Sequence, residues 1–137
     1  MSATLPVESA FPEPGKLFAE RYQIEGLIGT GGHSRVFRAR QRGFDREVAV
    51  KVLNVERSVD RETRDTIEKR FYLEARLLSR LRGPNTLRVY DYGRTETGQL
   101  FMVSELVAGT DLGALLRTTG ALGARRARRI FTQILQG

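Results

Sequence analysis

Gly29-Thr30-Gly31-Gly32-His33-Ser34-Arg35-Val36 is followed fifteen residues later by Lys51, at the end of Val48-Ala49-Val50-Lys51. Glycines let backbone amides approach phosphate oxygens closely and take positive φ, and a lysine ammonium is a compact charge suited to phosphates. Tyr22, Ile24 and Ile28 recur at even spacings before the glycines, and a second strand, Arg35 to Gln41, follows them. Gly43 and Asp45 then mark a turn into a third strand, Glu47 to Asn54, with valines at 48, 50 and 52. The glycines therefore lie in a hairpin of an antiparallel meander. In a dinucleotide-binding fold they would open a helix, and in a Walker loop they would end in Gly-Lys-Ser/Thr, which is absent. Alone, the segment reads equally well as an ordinary tight turn.

Lys51 adds weight to the phosphate reading. Strand side chains alternate, so Ala49 shares a face with Lys51 while Val48, Val50 and Val52 take the other. A small Ala49 admits a flat base, and Lys51, about 7 Å further along the strand, would reach phosphate oxygens. A lysine snorkelling at a strand end is the plainer account of Lys51 taken by itself.

Beyond Ser58 or Asp60 the period changes. Ile67, Phe71, Ala75, Leu78 and Leu81 fall on one face of a long helix that Gly83-Pro84-Asn85 stops. Glu74 lies three residues after Phe71 and four before Leu78, within this apolar stripe. A buried unpaired carboxylate costs several kcal/mol, roughly, so a cation from the sheet is expected, with Lys51 the leading candidate. Pairing with Arg70 or Arg76 at the stripe's edge, or simple hydration, is the competing account. Leu87 to Tyr92 and Leu100 to Glu105 read as further strands around Glu96-Thr97-Gly98, followed by helices over Asp111 to Leu116 and Gly123 to Gln136 separated by Gly120.

Composition bounds the alternatives. The 137 residues suit one domain, 40% of them apolar, with no internal repeat. With no cysteine, disulfides, cysteine zinc sites and thiol nucleophiles are excluded, and a reducing cytoplasm is the expected location. No apolar run reaches the roughly 18 residues of a membrane span, and no secretory signal opens the chain. The formal charge is +7, with only three lysines among 23 basic residues. That raises a nucleic-acid partner, but the arginines are scattered, and the one dense run, Arg125 to Arg129, accompanies Ile130, Phe131 and Ile134 in a helical pattern. A solvated helix face is the expectation, with no nucleic-acid partner. Pro6, Pro12 and Pro14 without periodicity make residues 1–20 a flexible leader.

In order, the glycine segment 29–36, Val-Ala-Val-Lys51, Phe71-x-x-Glu74-Ala75 and Ser104-Glu105-Leu106-Val107 resemble the small lobe of a protein kinase, most closely the bacterial serine/threonine kinases. The resemblance implies an α+β fold: a five-stranded antiparallel sheet plus one long helix as small lobe and hinge over 21–107, then the first two helices of an incomplete large lobe over 108–137. It implies ATP as the nucleotide. Gly29, Gly31, Gly32 and Ser34 would cover the phosphates, and Lys51 would contact the α- and β-phosphates and pair with Glu74. Ile28, Val36 and Ala49 would roof the adenine, Ser104 would be the gatekeeper, Glu105 and Val107 would hydrogen-bond the base through their backbone, and Asp111 would meet the ribose. Asp111 is equally well placed to favour a helix N-terminus.

Two departures accompany the resemblance. Ser34 stands where many kinases have a third glycine, which an extended serine tolerates, and His33 beside it is expected to face solvent at the loop tip. The family's His-Arg-Asp catalytic loop and Asp-Phe-Gly motif, which would supply the base and the Mg2+ ligands, do not occur in this sequence. The 137 residues alone are thus expected to be inactive toward protein substrates. A non-catalytic regulatory nucleotide-binding module is the alternative, with a basic nucleic-acid-binding protein behind it. Ile130, Phe131, Ile134 and Leu135 would expose an apolar face and favour self-association.

Overall fold

The computed structural model describes residues 11–55 and 59–137. Its strands are β1 (Leu17–Phe18), β2 (Tyr22–Thr30), β3 (Ser34–Gln41), β4 (Arg46–Leu53), β5 (Val89–Arg94) and β6 (Leu100–Glu105). Helix α1 (Arg61–Arg80) joins β4 to β5, and α2 (Leu112–Thr119) and α3 (Ala124–Leu135) follow β6. All six strands form one antiparallel sheet in the order β1-β2-β3-β4-β6-β5.

The sheet is apolar on both faces, and the two faces are covered differently. Val48, Val50 and Val52 of β4 and Phe101 and Val103 of β6 are buried with Phe18, Tyr22, Ile24, Phe37 and Ala39. Among the described residues no helix contributes to this cluster; the sheet covers it by curling. Strands distant in sheet order meet: the Phe18 ring stands edge-on to Phe101 at 5.5 Å, and the Tyr22 hydroxyl donates to Asp91 Oδ2 on β5 at 2.9 Å. Two irregularities in β2, between Ile24 and Gly26 and between Leu27 and Gly29, supply curvature, because an extra residue on one strand bends it. On the other face, Leu100 and Met102 are buried against Phe71 and Ala75 of α1, with Leu53, Tyr72, Leu78, Val89 and Tyr92 packed around them.

Helix α1 starts where its sequence chemistry provides a cap. Asp60 accepts hydrogen bonds from the Thr63 amide (2.9 Å) and hydroxyl (2.7 Å), which hold its carboxyl below the ordinary aspartate range. Of the two starts considered, Ser58 lies outside the described residues. At the other end Leu81 is already extended and exposed, so the apolar stripe closes at Leu78.

The fold differs from expectation in instructive places. The sheet has six strands instead of five, because Leu17 and Phe18, within the stretch read as a leader, pair with Gln23 and Tyr22. Their signal was hidden by length: two residues carry no periodicity, and only the buried Phe18 reveals the strand. The fourth expected strand begins at Val89 rather than Leu87, since the Arg88 N–H is taken by the Glu105 carboxylate at 2.9 Å. Gly29, Gly31 and Gly32 do not use positive φ; the glycines that do are Gly15, Gly43, Gly98, Gly109 and Gly120, all in turns, loops or a helix cap. In the hairpin, small size matters instead. The Gly31 N–H donates to the Ser34 carbonyl at 2.7 Å, and a Cβ on Gly31 would fall 2.8 Å from Ser34 Oγ.

Candidate nucleotide site on the helix-facing side of the sheet

Residues paired across an antiparallel sheet share a face, so the register groups the site residues into rows. One row runs Gly29, Val36, Lys51, Met102 and Tyr92; the next runs Arg38, Ala49, Ser104 and Val89. Lys51 and Val36 are thus direct neighbours under the start of the glycine hairpin. Ala49 lies beside Ser104, two small side chains in adjacent strands, which leaves a low, flat strip of sheet one strand repeat from the lysine. The hairpin tip closes over β4 through the Asn54 N–H, which donates to the His33 carbonyl at 2.9 Å. His33 is exposed there, and Ser34 is half-buried.

Helix α1 brings Glu74 to the same face. Lys51 Nζ and Glu74 Oε1 are 3.8 Å apart, with side chains 33% and 56% exposed. Glu74 therefore sits at the edge of the stripe, not within it: Phe71 and Ala75 bury while Glu74 stays open to water. The two explanations weighed for it are both partly right, since it occupies the hydrated edge and faces Lys51. The 3.8 Å separation is an ion pair without a tight hydrogen bond, and neither partner is so desolvated that its charge is costly.

The segment leaving β6 presents backbone. Ser104 is only 7% exposed, and its hydroxyl donates to the Glu105 carbonyl at 3.2 Å. The Glu105 N–H donates to the Arg88 carbonyl at 2.9 Å and its side chain accepts from the Arg88 amide, so both are engaged with the residue that precedes β5. Its carbonyl oxygen keeps a second lone pair. Val107 is exposed, and among the described residues its N–H has no acceptor. Asp111 is the N-cap of α2, accepting from the Ala114 amide at 2.7 Å through Oδ1. Ile28 is half-exposed at a β2 irregularity.

Two concavities lie elsewhere. A cavity of about 530 Å³ is lined by Glu68, Tyr72, Leu73, Arg76 and Tyr92 beside α1, and one of about 790 Å³ lies between Phe11–Arg21 and the β5–β6 turn. Neither contains Lys51, Ala49 or the hairpin glycines. Among the described residues, no three His, Asp or Glu side chains gather as metal ligands, so the residues present do not make a Mg2+ site.

Comparison with known proteins decides the family. The protein kinase domain model matches residues 22–137. The chain belongs to the protein kinase family. It is 43% identical over 121 residues to the serine/threonine-protein kinase pkn3 of Myxococcus xanthus, a match covering 88% of this chain and 21% of that protein. Against PknH of Mycobacterium tuberculosis it is 37% identical over 120 residues, covering 88% and 18% respectively. The crystal structure of the M. tuberculosis PknI kinase domain superposes with a TM-score of 0.74 at 27% identity, covering 90% of this chain and 48% of that one. The sheet and α1 are thus a kinase small lobe, and the chain spans about half of the comparable kinase domain and about a fifth of these curated relatives. Among the described residues no helix is long and apolar enough to cross a membrane.

Sequence reasoning missed two contacts that shape this face. Arg94 at the end of β5 binds Glu68 of α1 at 2.6 Å. The Arg88–Glu105 clasp fixes the start of β5. No motif announces either, because each joins residues 17 or more apart whose meeting depends on register.

Proposed function

We propose that this chain forms the ATP-holding part of a serine/threonine protein kinase that transfers the γ-phosphoryl group of ATP to protein hydroxyls. The observation that carries the reading is the ordered row Val36–Lys51 beside Ala49–Ser104, with Glu74 3.8 Å from the Lys51 ammonium. In this reading the base lies on the Ala49–Ser104 strip between Ile28, Val36 and the β6 exit, taking a hydrogen bond from the Val107 N–H and giving one to the Glu105 carbonyl. The free side of Asp111 is within the same exit segment and meets the ribose. The amides of Gly29, Gly31, Gly32 and Ser34 and the ammonium of Lys51 meet the phosphates, where charge-assisted hydrogen bonds are strongest. Glu74 faces the lysine without neutralising it. The Mg2+ ligands and the base that orients the protein hydroxyl belong to segments this sequence does not contain, so no transfer step is assigned to these residues.

The compartment proposed is the cytoplasm, where ATP is available, and the partners proposed are ATP, a protein substrate and a second apolar surface against α3. The test is titration with a fluorescent ATP analogue, with competition by ATP, GTP and adenosine at two salt concentrations, for the parent chain and Ala49→Leu. Adenine-selective binding that Ala49→Leu abolishes supports the reading. Base-blind binding that collapses as salt rises would instead mark a phosphate-backbone binder, and absence of binding would reject the nucleotide site.

A further inference from the structure

Helix α1 must be held against the sheet for Glu74 to face Lys51, and the Lys51–Glu74 contact itself is poorly suited to holding it. At 3.8 Å, between groups a third and more than half exposed, it supplies little orientation. The apolar contacts of Phe71 and Ala75 with Leu100 and Met102 fix the helix's distance from the sheet. A second, tighter polar contact exists at the other side of the helix. Arg94 Nη2 lies 2.6 Å from Glu68 Oε2, with the carboxylate only 25% exposed. The Arg94 guanidinium also donates through Nη1 to the Gly98 carbonyl of the β5–β6 turn at 3.4 Å, and hydrogen bonding to Glu68, then in smaller measure to Tyr72, holds its pKa above the ordinary arginine value. Arg94 pairs in register with Leu100, placing it on the α1 side of a buried strand pair. Glu68 precedes Glu74 by six residues, under two helical turns.

We infer that Arg94 and Glu68 form a clamp that sets the position of α1 along the sheet, and through it the alignment of Glu74 with Lys51. Both are positioning residues: Arg94 shares the helix-facing side with Lys51 but lies one row further from Ala49, beside Leu100, and the effect of the pair passes through the helix. The rigid guanidinium fork suits this task better than an ammonium would, because two of its nitrogens grip different elements. The consequence for nucleotide binding rests on the function proposed above; the consequence for helix position does not.

The test uses both levels. The sequence lacks cysteine, so paired cysteines replacing exposed Arg38 on β3 and exposed Arg70 on α1 take spin labels cleanly. Pulsed electron resonance then reads the helix-to-sheet distance in the parent, Arg94→Ala, Glu68→Gln and the exchanged pair Glu68→Arg with Arg94→Glu. We expect a narrow distribution in the parent, a shifted or broadened one in each single variant, and recovery in the exchanged pair. Glu68→Gln preserves volume and stands in should Arg94→Ala fail to fold. Affinity for the ATP analogue should fall about fivefold in the single variants, with adenosine changed less than about twofold, since only the phosphates meet Lys51. Single variants whose distance distributions overlay the parent's would overturn the clamp. Shifted distributions with ATP affinity intact, or with ATP and adenosine weakened alike, would overturn its link to Lys51. A parent chain that binds no nucleotide rejects the proposed function, while the distances still judge the clamp.

Discussion

Replacing Lys51 by methionine separates two roles that the geometry keeps apart. Across 3.8 Å two unit charges attract by about 1 kcal/mol in water and about 4 kcal/mol at an effective dielectric constant of about 20. With Glu74 more than half exposed the watery limit applies, and after side-chain ordering the pair stabilises the fold by about 0.2–1 kcal/mol. Methionine retains the apolar stem, so Lys51→Met should lower the melting temperature by no more than about 5 °C. Its effect on nucleotide should be far larger. A charged hydrogen bond to phosphate contributes about 1.5–3 kcal/mol, so affinity for ATP should drop about 10- to 150-fold, whereas adenosine, which has no phosphate, should bind as before. Differential scanning fluorimetry and competition titration measure the two quantities on one sample. The reasoning fails if melting falls by 10 °C or more, which would mean the ion pair is structural, or if ATP and adenosine weaken together.

Three further outcomes are expected. Ala19 and Glu20, joining β1 to β2, both hold positive φ (48° and 60°), so Glu20→Gly should raise stability in urea by about 0.5–1 kcal/mol, and an unchanged midpoint would deny the strain. Burial, then the hydrogen bond to Asp91, pushes the Tyr22 hydroxyl up to about 12 from 10.0; the folded state binds this proton more tightly than the unfolded one, so the contribution is complete below pH 10 and disappears as pH rises toward 12. Thermal melts of the parent should therefore weaken over that window, and Tyr22→Phe should remove that part of the slope. On α3, Phe131 and Ile134 are more than half exposed, so Ile134→Asp should reduce self-association and apolar-dye binding, measured by sedimentation and dye fluorescence, with little loss of secondary structure.

Legibility in the sequence followed how local the governing physics was. Strands β2, β3, β4 and β6 could be read because valine alternation and turn residues act within a few positions; β6 fell on Leu100–Glu105 as expected. The long helix was legible through its 3.6-residue stripe and Asp60 cap. Strand β1 was not, because it exists only where the curled sheet offers Phe18 a place against Phe101. The glycine hairpin was located correctly but for an incomplete reason: its glycines keep ordinary φ and matter by omitting a Cβ where Ser34 folds back.

The same distinction runs through the site. Lys51 and Ala49 were identifiable as face-sharing neighbours from alternation alone, yet their juxtaposition with Ser104 and Val36 depends on inter-strand register, which a single strand's pattern does not specify. Glu74 illustrates the energetic side. A carboxylate within an apolar stripe suggested burial and a compelled partner, but Phe71 and Ala75 take the buried positions and Glu74, at the edge of the stripe, stays more than half in water. The ion pair is consequently adjustable rather than locked, and what aligns it must come from contacts with better geometry, such as the 2.6 Å grip of Arg94 on Glu68. Moving α1 along the sheet therefore means releasing the Arg94–Glu68 grip, while the Lys51–Glu74 pair yields at little cost.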